Sequence, residues 1–323
     1  MKPSCIHRIK KAAQHGLTMV ELLVALVLVS LITLAALAMY NASSSTYRST
    51  DANQELQDNA RFIFETFSQA IRQAGLQDSA QYAAFEAQVP RQAVFPPSHA
   101  WDTARFGTQP ALFGYNDAKI ASVGSVTDFG TDDSGGHNNS DVFGVRFFGS
   151  SRLTDASTAD RSVIDCRGNG VAYPLVVGDI GLSLFQVATG TSGEPELQCI
   201  NQGRVAYPIV RGVESLQIVY AVDTNVGATT DPSPNRWLNA KEVSAGAFWP
   251  KVRAVRLGMV LSAAAGSATG APNAAALYPL GEEFSKVSGA VPSTNGITFV
   301  PPNDNRLRRA FTFNIAIRKN VEQ

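Results

Sequence analysis

The chain has 323 residues, 45% of them hydrophobic and 17% charged, and its 27 basic and 27 acidic side chains balance to zero. That length and apolar fraction support a large buried core, in one sizeable domain or two small ones. The charge balance argues against a general nucleic-acid binder, and three cysteines with four histidines leave little material for a metal centre.

In chain order, Lys2, Arg8, Lys10 and Lys11 all precede the first acid, Glu21. From Leu22 to Met39 eighteen residues carry no charge and only Ser30 and Thr33 interrupt the hydrocarbon, with hydroxyls that can bond back to a helix carbonyl. As a helix at about 1.5 Å per residue the run reaches about 27 Å, close to the hydrocarbon thickness of a bilayer. The basic leader is expected to stay in the cytoplasm and to send residues from 40 onward across the membrane.

Glu21 is the anomaly. A carboxylate deep in a transmembrane helix costs about 2.5–3.5 kcal/mol, so it needs either a wet interfacial position or a partner. Cutting after Gly16 would make Leu17 the new N-terminus and set a charged amine four residues before the carboxylate. In an array of such helices Glu21 then pairs with the amine of a neighbouring subunit, and the two charges cancel inside an apolar bundle.

These residues carry a resemblance. Gly16-Leu17-Thr18-Met19-Val20-Glu21-Leu22-Leu23 resembles the prepilin signature of type IV pilins and type II secretion pseudopilins. The family usually reads Phe-Thr-Leu-Ile-Glu after the glycine, so Gly16, Thr18 and Glu21 match while Leu17, Met19 and Val20 are apolar replacements. The resemblance implies cleavage after Gly16 by a prepilin peptidase and methylation of the Leu17 amine. A rival reading uses Ala36-Leu37-Ala38 as a secretory signal peptidase site, which would release a soluble binding or adhesin protein starting at Met39. Against it, the apolar run exceeds the usual signal core of about 7–15 residues, and Glu21 would have no purpose.

Removing the leader takes four of the 27 basic residues, which leaves 23 against 27 acids, a net charge of −4, and also takes Cys5. Cys166 and Cys199 then remain as an even pair in an oxidising compartment and are expected to form a disulfide, worth about 3–4 kcal/mol by the chain-entropy model. The competing reading is two buried free thiols. No metal is expected, since His99 and His137 lack ligand spacing to the cysteines.

No Gly or Pro occurs from Leu17 to Ala74, which permits one helix of up to 58 residues. Asn41 to Thr50 is a poor helix former and is expected to fray or bend, with Asp51 and Gln54 forming a capping box if the helix restarts. Leu56, Ala60, Ile63, Phe67, Ala70 and Ala74 recur at three- and four-residue spacing, so this half is amphipathic and should pack on the globular domain, with Gly75 as its C-terminal cap. Major pilins of the family commonly carry a helix-bending proline inside the apolar segment, which this chain lacks.

Residues 76–140 are expected to be irregular, broken by Pro90, Pro96, Pro97 and Pro110. Gly130 to Asp141 reads as a solvated turn-rich loop, and neither it nor Asp223–Gly227 has the spacing of a calcium loop. From Asp141 the period becomes two: Val142–Phe148, Leu182–Val187, Val205–Val210, Val213–Val222, Val252–Ser262 and Phe311–Arg318 are predicted strands of an antiparallel sheet. Ala263–Pro272 and Pro292–Asn305 connect them. The expected fold class is α+β, a long N-terminal helix packed on a mostly antiparallel β-sheet domain. The expected division is a leader over 1–16, a helix over 17–75 with its transmembrane segment at 17–39, and a β-rich domain over 76–323.

The second half resembles the PilW group of minor pilins, itself similar to minor pseudopilin J of type II secretion. The blocks that carry this are Asp165-Cys166-Arg167-Gly168, Leu197-Gln198-Cys199, Gly212 to Tyr220 with Asp223, Trp249 to Arg256, and Arg308 to Phe313 with Ile317-Arg318. The paired cysteines favour PilW over pseudopilin J. The resemblance implies a low-abundance subunit that primes, caps or joins a type IV pilus, without enzymatic activity or cofactor. Its implied partners are the prepilin peptidase, other minor pilins, the major pilin, the inner-membrane assembly platform and membrane lipid, with no nucleic acid expected. It implies residence in a bacterial inner membrane, N-terminus in the cytoplasm and C-terminal domain in the periplasm, and then in the pilus. No Gly-x-Ser-x-Gly, His-Glu-x-x-His or phosphate loop occurs. Trp101 and Trp237 read as partly buried core in preference to adhesive loops, and Arg306, Arg308 and Arg309 as a docking or solvated cluster.

Overall fold

Helix formation begins one residue after the first described position, Thr18. A computed structural model of the chain describes residues 18–76, 110–120, 130–174, 179–224, 233–268, 275–286 and 296–317, and the chain forms two compact units, Met1–Thr50 and Asp51–Gln323.

Helix α1 is Met19–Gln73. In the first unit its apolar residues are exposed throughout, and its length and composition suit a membrane span. The two hydroxyls inside the apolar run are hidden by the helix itself, Ser30 Oγ donating to the Val27 carbonyl at 2.8 Å and Thr33 Oγ1 to that of Val29 at 2.7 Å. The expected fraying over 41–50 does not occur. Ser44, Ser45, Thr46, Ser49 and Thr50 each donate to a carbonyl three or four residues back, so groups that usually compete with the helix are bound by it. The helix has no second start, and Asp51 with Gln54 caps nothing.

In the second unit α1 buries Ala52, Leu56, Ala60, Ile63, Phe67, Ala70 and Ile71, the predicted stripe with Ala52 and Ile71 added and Ala74 only partly buried. Each large side chain so buried contributes about 1.5–3 kcal/mol. Gly75 ends the helix at φ +70°, and its N–H donates to the Arg146 carbonyl at 2.9 Å. Only glycine adopts that conformation freely, so the helix end is tied directly to a strand.

The strands among the described residues are β1 (Leu112–Tyr115), β2 (Val142–Phe147), β3 (Ser151–Arg152), β4 (Asp155–Ala159), β5 (Gly181–Thr189), β6 (Pro195–Asn201), β7 (Ala206–Arg211), β8 (Val213–Val222), β9 (Arg236–Leu238), β10 (Val252–Ser262) and β11 (Arg308–Ala316). Short helices α2 (Ala240–Ala245) and α3 (Glu282–Lys286) flank β10. One sheet runs β1-β2-β5-β6-β7, a second runs β11-β10-β8-β9, and β3 pairs with β4. Every pairing is antiparallel. The fold is α+β.

Helix α1 seats on both sheets. Phe67 lies 4.3 Å from Phe185 and 5.6 Å from Phe143, ring centre to ring centre, and Phe64 lies 4.9 Å from Phe313 of β11. The main core collects that helix face, Phe143, Val145, Phe147, Phe185 and Val187 of the first sheet, and Ile218, Tyr220, Val255 and Leu257 of the second. The opposite face of the first sheet is covered too, with Val142, Leu182, Leu184 and Ile200 packing on Phe113, Ala118 and Ile120. Adjacent residues on β2 therefore enter different cores, which explains a strand buried at all six positions.

Two expectations about loops are corrected. Residues 110–120 are not irregular, because β1 pairs with β2 there. Gly130 to Asp141 is not simply solvated: Ser140 and Asp141 are buried, and their side chains accept from the backbone amides of Leu216 and of Asp117 and Ile218. The segment stitches β8 to β2 because a buried β8 amide needs an acceptor.

Candidate assembly site

Thr18 and Glu21 close a reciprocal cap at the head of α1. The Thr18 amide and hydroxyl both donate to Glu21 Oε2, at 2.9 and 3.0 Å, and the Glu21 amide donates to Thr18 Oγ1 at 3.3 Å. This is a capping box, in which two amides that lack helical partners are satisfied by side chains. The positive end of the helix dipole favours the carboxylate there. Glu21 Oε1 accepts nothing among the described residues, so the group is braced by one oxygen and open at the other. The Thr-x-x-Glu spacing was the sequence signal for this box. Gly16 and Leu17 lie outside the described residues.

The second unit holds the other expected pair. Cys166 and Cys199 form a disulfide with their Cα atoms 6.1 Å apart. Cys199 is buried in β6, a strand absent from those predicted. Cys166 sits in a turn closed by the bridge between Ile164 and Gly170. Asp165 organises that turn, accepting from the amides of Arg167 and Asn169 at 2.8 and 2.9 Å and from Asn201 Nδ2 at 2.7 Å. A cavity of about 260 Å³ lies between this turn and the Phe62, Thr66, Gln69 and Gln73 side of α1.

The charged groups are mostly engaged within the fold. Asp133 pairs with Lys241 at 2.5 Å, a hydrogen bond that holds its carboxyl below the usual range, while partial burial raises Asp132. Full burial pushes Asp141 up to about 8, against the two amides that favour its ionised form. The arginine cluster does not face solvent as a unit. Arg306 pairs with Glu194 at 2.7 Å, and Arg308, 5% exposed, meets Glu214 at 2.8 Å and Asp304 at 2.6 Å. Burial opposes the Arg308 charge, but its hydrogen bonds to both carboxylates raise its pKa overall. Among the described residues no group of three or more His, Cys, Asp and Glu is arranged to hold a metal ion.

Two sequence families match the chain. Residues 11–37 match the prokaryotic N-terminal methylation motif and residues 184–319 match type IV pilus-assembly protein W. Together these two matches support a PilW-type minor pilin of the type IV pilus. The match favours this assignment over the pseudopilin J and secreted-protein alternatives. Pilins of this kind are structural proteins that work with other pilins and their processing machinery, and the apolar N-terminal helix fits a membrane-anchored pilin. No curated protein matches this pilin in sequence. Among solved structures it overlaps a type IV-like pilin from Thermus thermophilus at 11% identity, over 81% of this chain and 94% of that one, with a TM-score of 0.35. That overlap is loose, and the assignment stands on the sequence matches.

Proposed function

We propose that this minor pilin is made with a leader over residues 1–16, cut after Gly16 by a prepilin peptidase and methylated on the Leu17 amine, and that its helix then enters the growing pilus. The N-terminus faces the cytoplasm while the helix is in the inner membrane, and residues 76–323 form the periplasmic domain that meets other minor pilins, the major pilin and the assembly platform. Glu21 supplies the contact that aligns the helix, accepting the N-terminal amine of a neighbouring subunit. The observation that carries this reading is the open Oε1 of a carboxylate already braced by Thr18 at the head of an exposed apolar helix. Such a carboxylate needs no rotamer search to receive a cation, and burying it in a bundle without one would be costly.

The test is intact-mass and N-terminal analysis of protein recovered from its own membranes. A start at Leu17 carrying one extra methyl is expected. A start at Met39 would make the chain a secreted protein and remove the role of Glu21.

A further inference from the structure

The last two strands of the second sheet are charged in one sense only. β10 and β11 contain Arg253, Arg256, Arg308 and Arg309 and no acid, and among these four Arg308 is the one with carboxylate partners. Arg256 is held in place by its own fold without meeting a carboxylate among the described residues. Its guanidinium stands 4.9 Å from the ring centre of Trp237 and 4.5 Å from that of Phe284, and its Nε donates to Asn314 Oδ1 at 2.8 Å. The stem and Nε are thereby fixed, while the two terminal nitrogens have no acceptor among the described residues. A planar fork immobilised between aromatic rings with its outer donors unspent matches a carboxylate in shape and charge.

The strand beside it is an open edge. β11 pairs with β10 over nine residues without a bulge and has no strand on its other side among the described residues. The far edge of the first sheet differs, since β7 carries Pro208, which blocks strand addition. β11 has no proline, and Asn314 and Thr312 are exposed on it.

We propose that the β11 edge and the Arg256 fork together dock an extended, carboxylate-bearing segment of a neighbouring, different pilin subunit. The segment adds as a strand to β11 and sets an Asp or Glu against Arg256. A second copy of this chain laid along β11 would bring arginine-bearing strands together without an acid between them, so the occupant is another subunit. That the neighbour is a pilin rests on the function proposed above; the carboxylate specificity rests on Arg256.

The test uses the full-length chain in pilus-producing cells, with the photo-crosslinker benzoylphenylalanine at Ala316, an exposed residue of β11 that leaves Asn314 in place, and, as a control, at Leu153, an exposed residue of the β3–β4 turn. The expected adduct at 316 joins a different pilin subunit through a peptide containing Asp or Glu, is not seen at 153, and falls at least about tenfold in Arg256→Glu, as for loss of a desolvated charge pair. Arg256→Lys keeps the charge but not the fork and should give the same direction of loss, so the test survives if Arg256→Glu fails to fold. An adduct unchanged by either substitution overturns the proposal, as does an adduct to lipid, to a second copy or to a peptide without an acid. Wild-type protein absent from sheared pili would instead count against the proposed function. Wild-type protein present in pili with no adduct at 316 overturns this inference alone.

Discussion

At the scale of single residues the informative groups are two carboxylates with opposite surroundings. Glu21 is exposed and half-bonded, so replacing it should not disturb the fold. Glu21→Ala is expected to leave membrane insertion intact and to lower the amount of protein in sheared pili at least about tenfold, the order expected for truncating one partner of a desolvated charge pair at about 2–5 kcal/mol. Glu21→Gln retains an acceptor for the Thr18 cap and should fall similarly; normal incorporation in both variants would end the proposed pairing. Asp141 is the reverse case, a carboxylate sealed inside the second unit with its pKa raised to about 8. An acid that holds its proton more tightly folded than unfolded stabilises the fold most at low pH, and that contribution declines as pH rises from about 4, the ordinary carboxylate value, to about 8. Urea midpoints of wild type and Asp141→Asn should therefore differ most in favour of wild type near pH 5 and converge toward pH 8. Divergence with rising pH would mean that the amides of Asp117 and Ile218 keep the carboxylate ionised.

Among the elements, α1 decides most. Phe67 is fully buried against Phe143 and Phe185, so Phe67→Ala is expected to lower unfolding free energy by about 3–5 kcal/mol, while the exposed Phe62 one turn away should tolerate the same change within about 0.5 kcal/mol. Denaturant unfolding of the two variants in detergent checks this contrast. The stripe that contains Phe67 was legible because its apolar residues repeat with the helical period and Gly75 marks its end. Val213–Val222 and Val252–Ser262 were legible to the residue, since β-branched runs bounded by turn residues admit one reading. β6 was not, because Gln198 finds its partner in Gln186 on β5 at 3.1 Å, a contact across strands that no local pattern announces. The same holds for the arginines: nothing in Arg306-Leu307-Arg308-Arg309 foretells that Glu194, Glu214 and Asp304 lie opposite. The persistence of the helix through Asn41–Thr50 was hidden because propensity scales average over the back-bonded hydroxyls seen here.

Across the whole molecule the covalent constraint is the disulfide, which links the Asp165 turn to the first sheet over a sequence separation of 33. Cys166→Ser with Cys199→Ser is expected to lower stability by about 2–4 kcal/mol and, because Asp165 and the cavity walls beside α1 depend on that turn, to raise amide exchange first over residues 164–170. Hydrogen exchange measured by mass spectrometry on the two forms reads this directly; uniform loosening of both sheets would show that the bond supports the entire fold rather than its turn.

The bond has one more consequence. Between its two cysteines lies the β5–β6 hairpin, whose tip, Thr191-Ser192-Gly193, is exposed. Such a tip is where a protease acting on a folded domain would cut. A cut there leaves β5 and β6 paired over seven residues and the two halves covalently joined, so the clipped subunit would run as one band on a non-reducing gel and as two after reduction. A pilin exposed to proteases can in this way be severed in sequence and remain whole in structure.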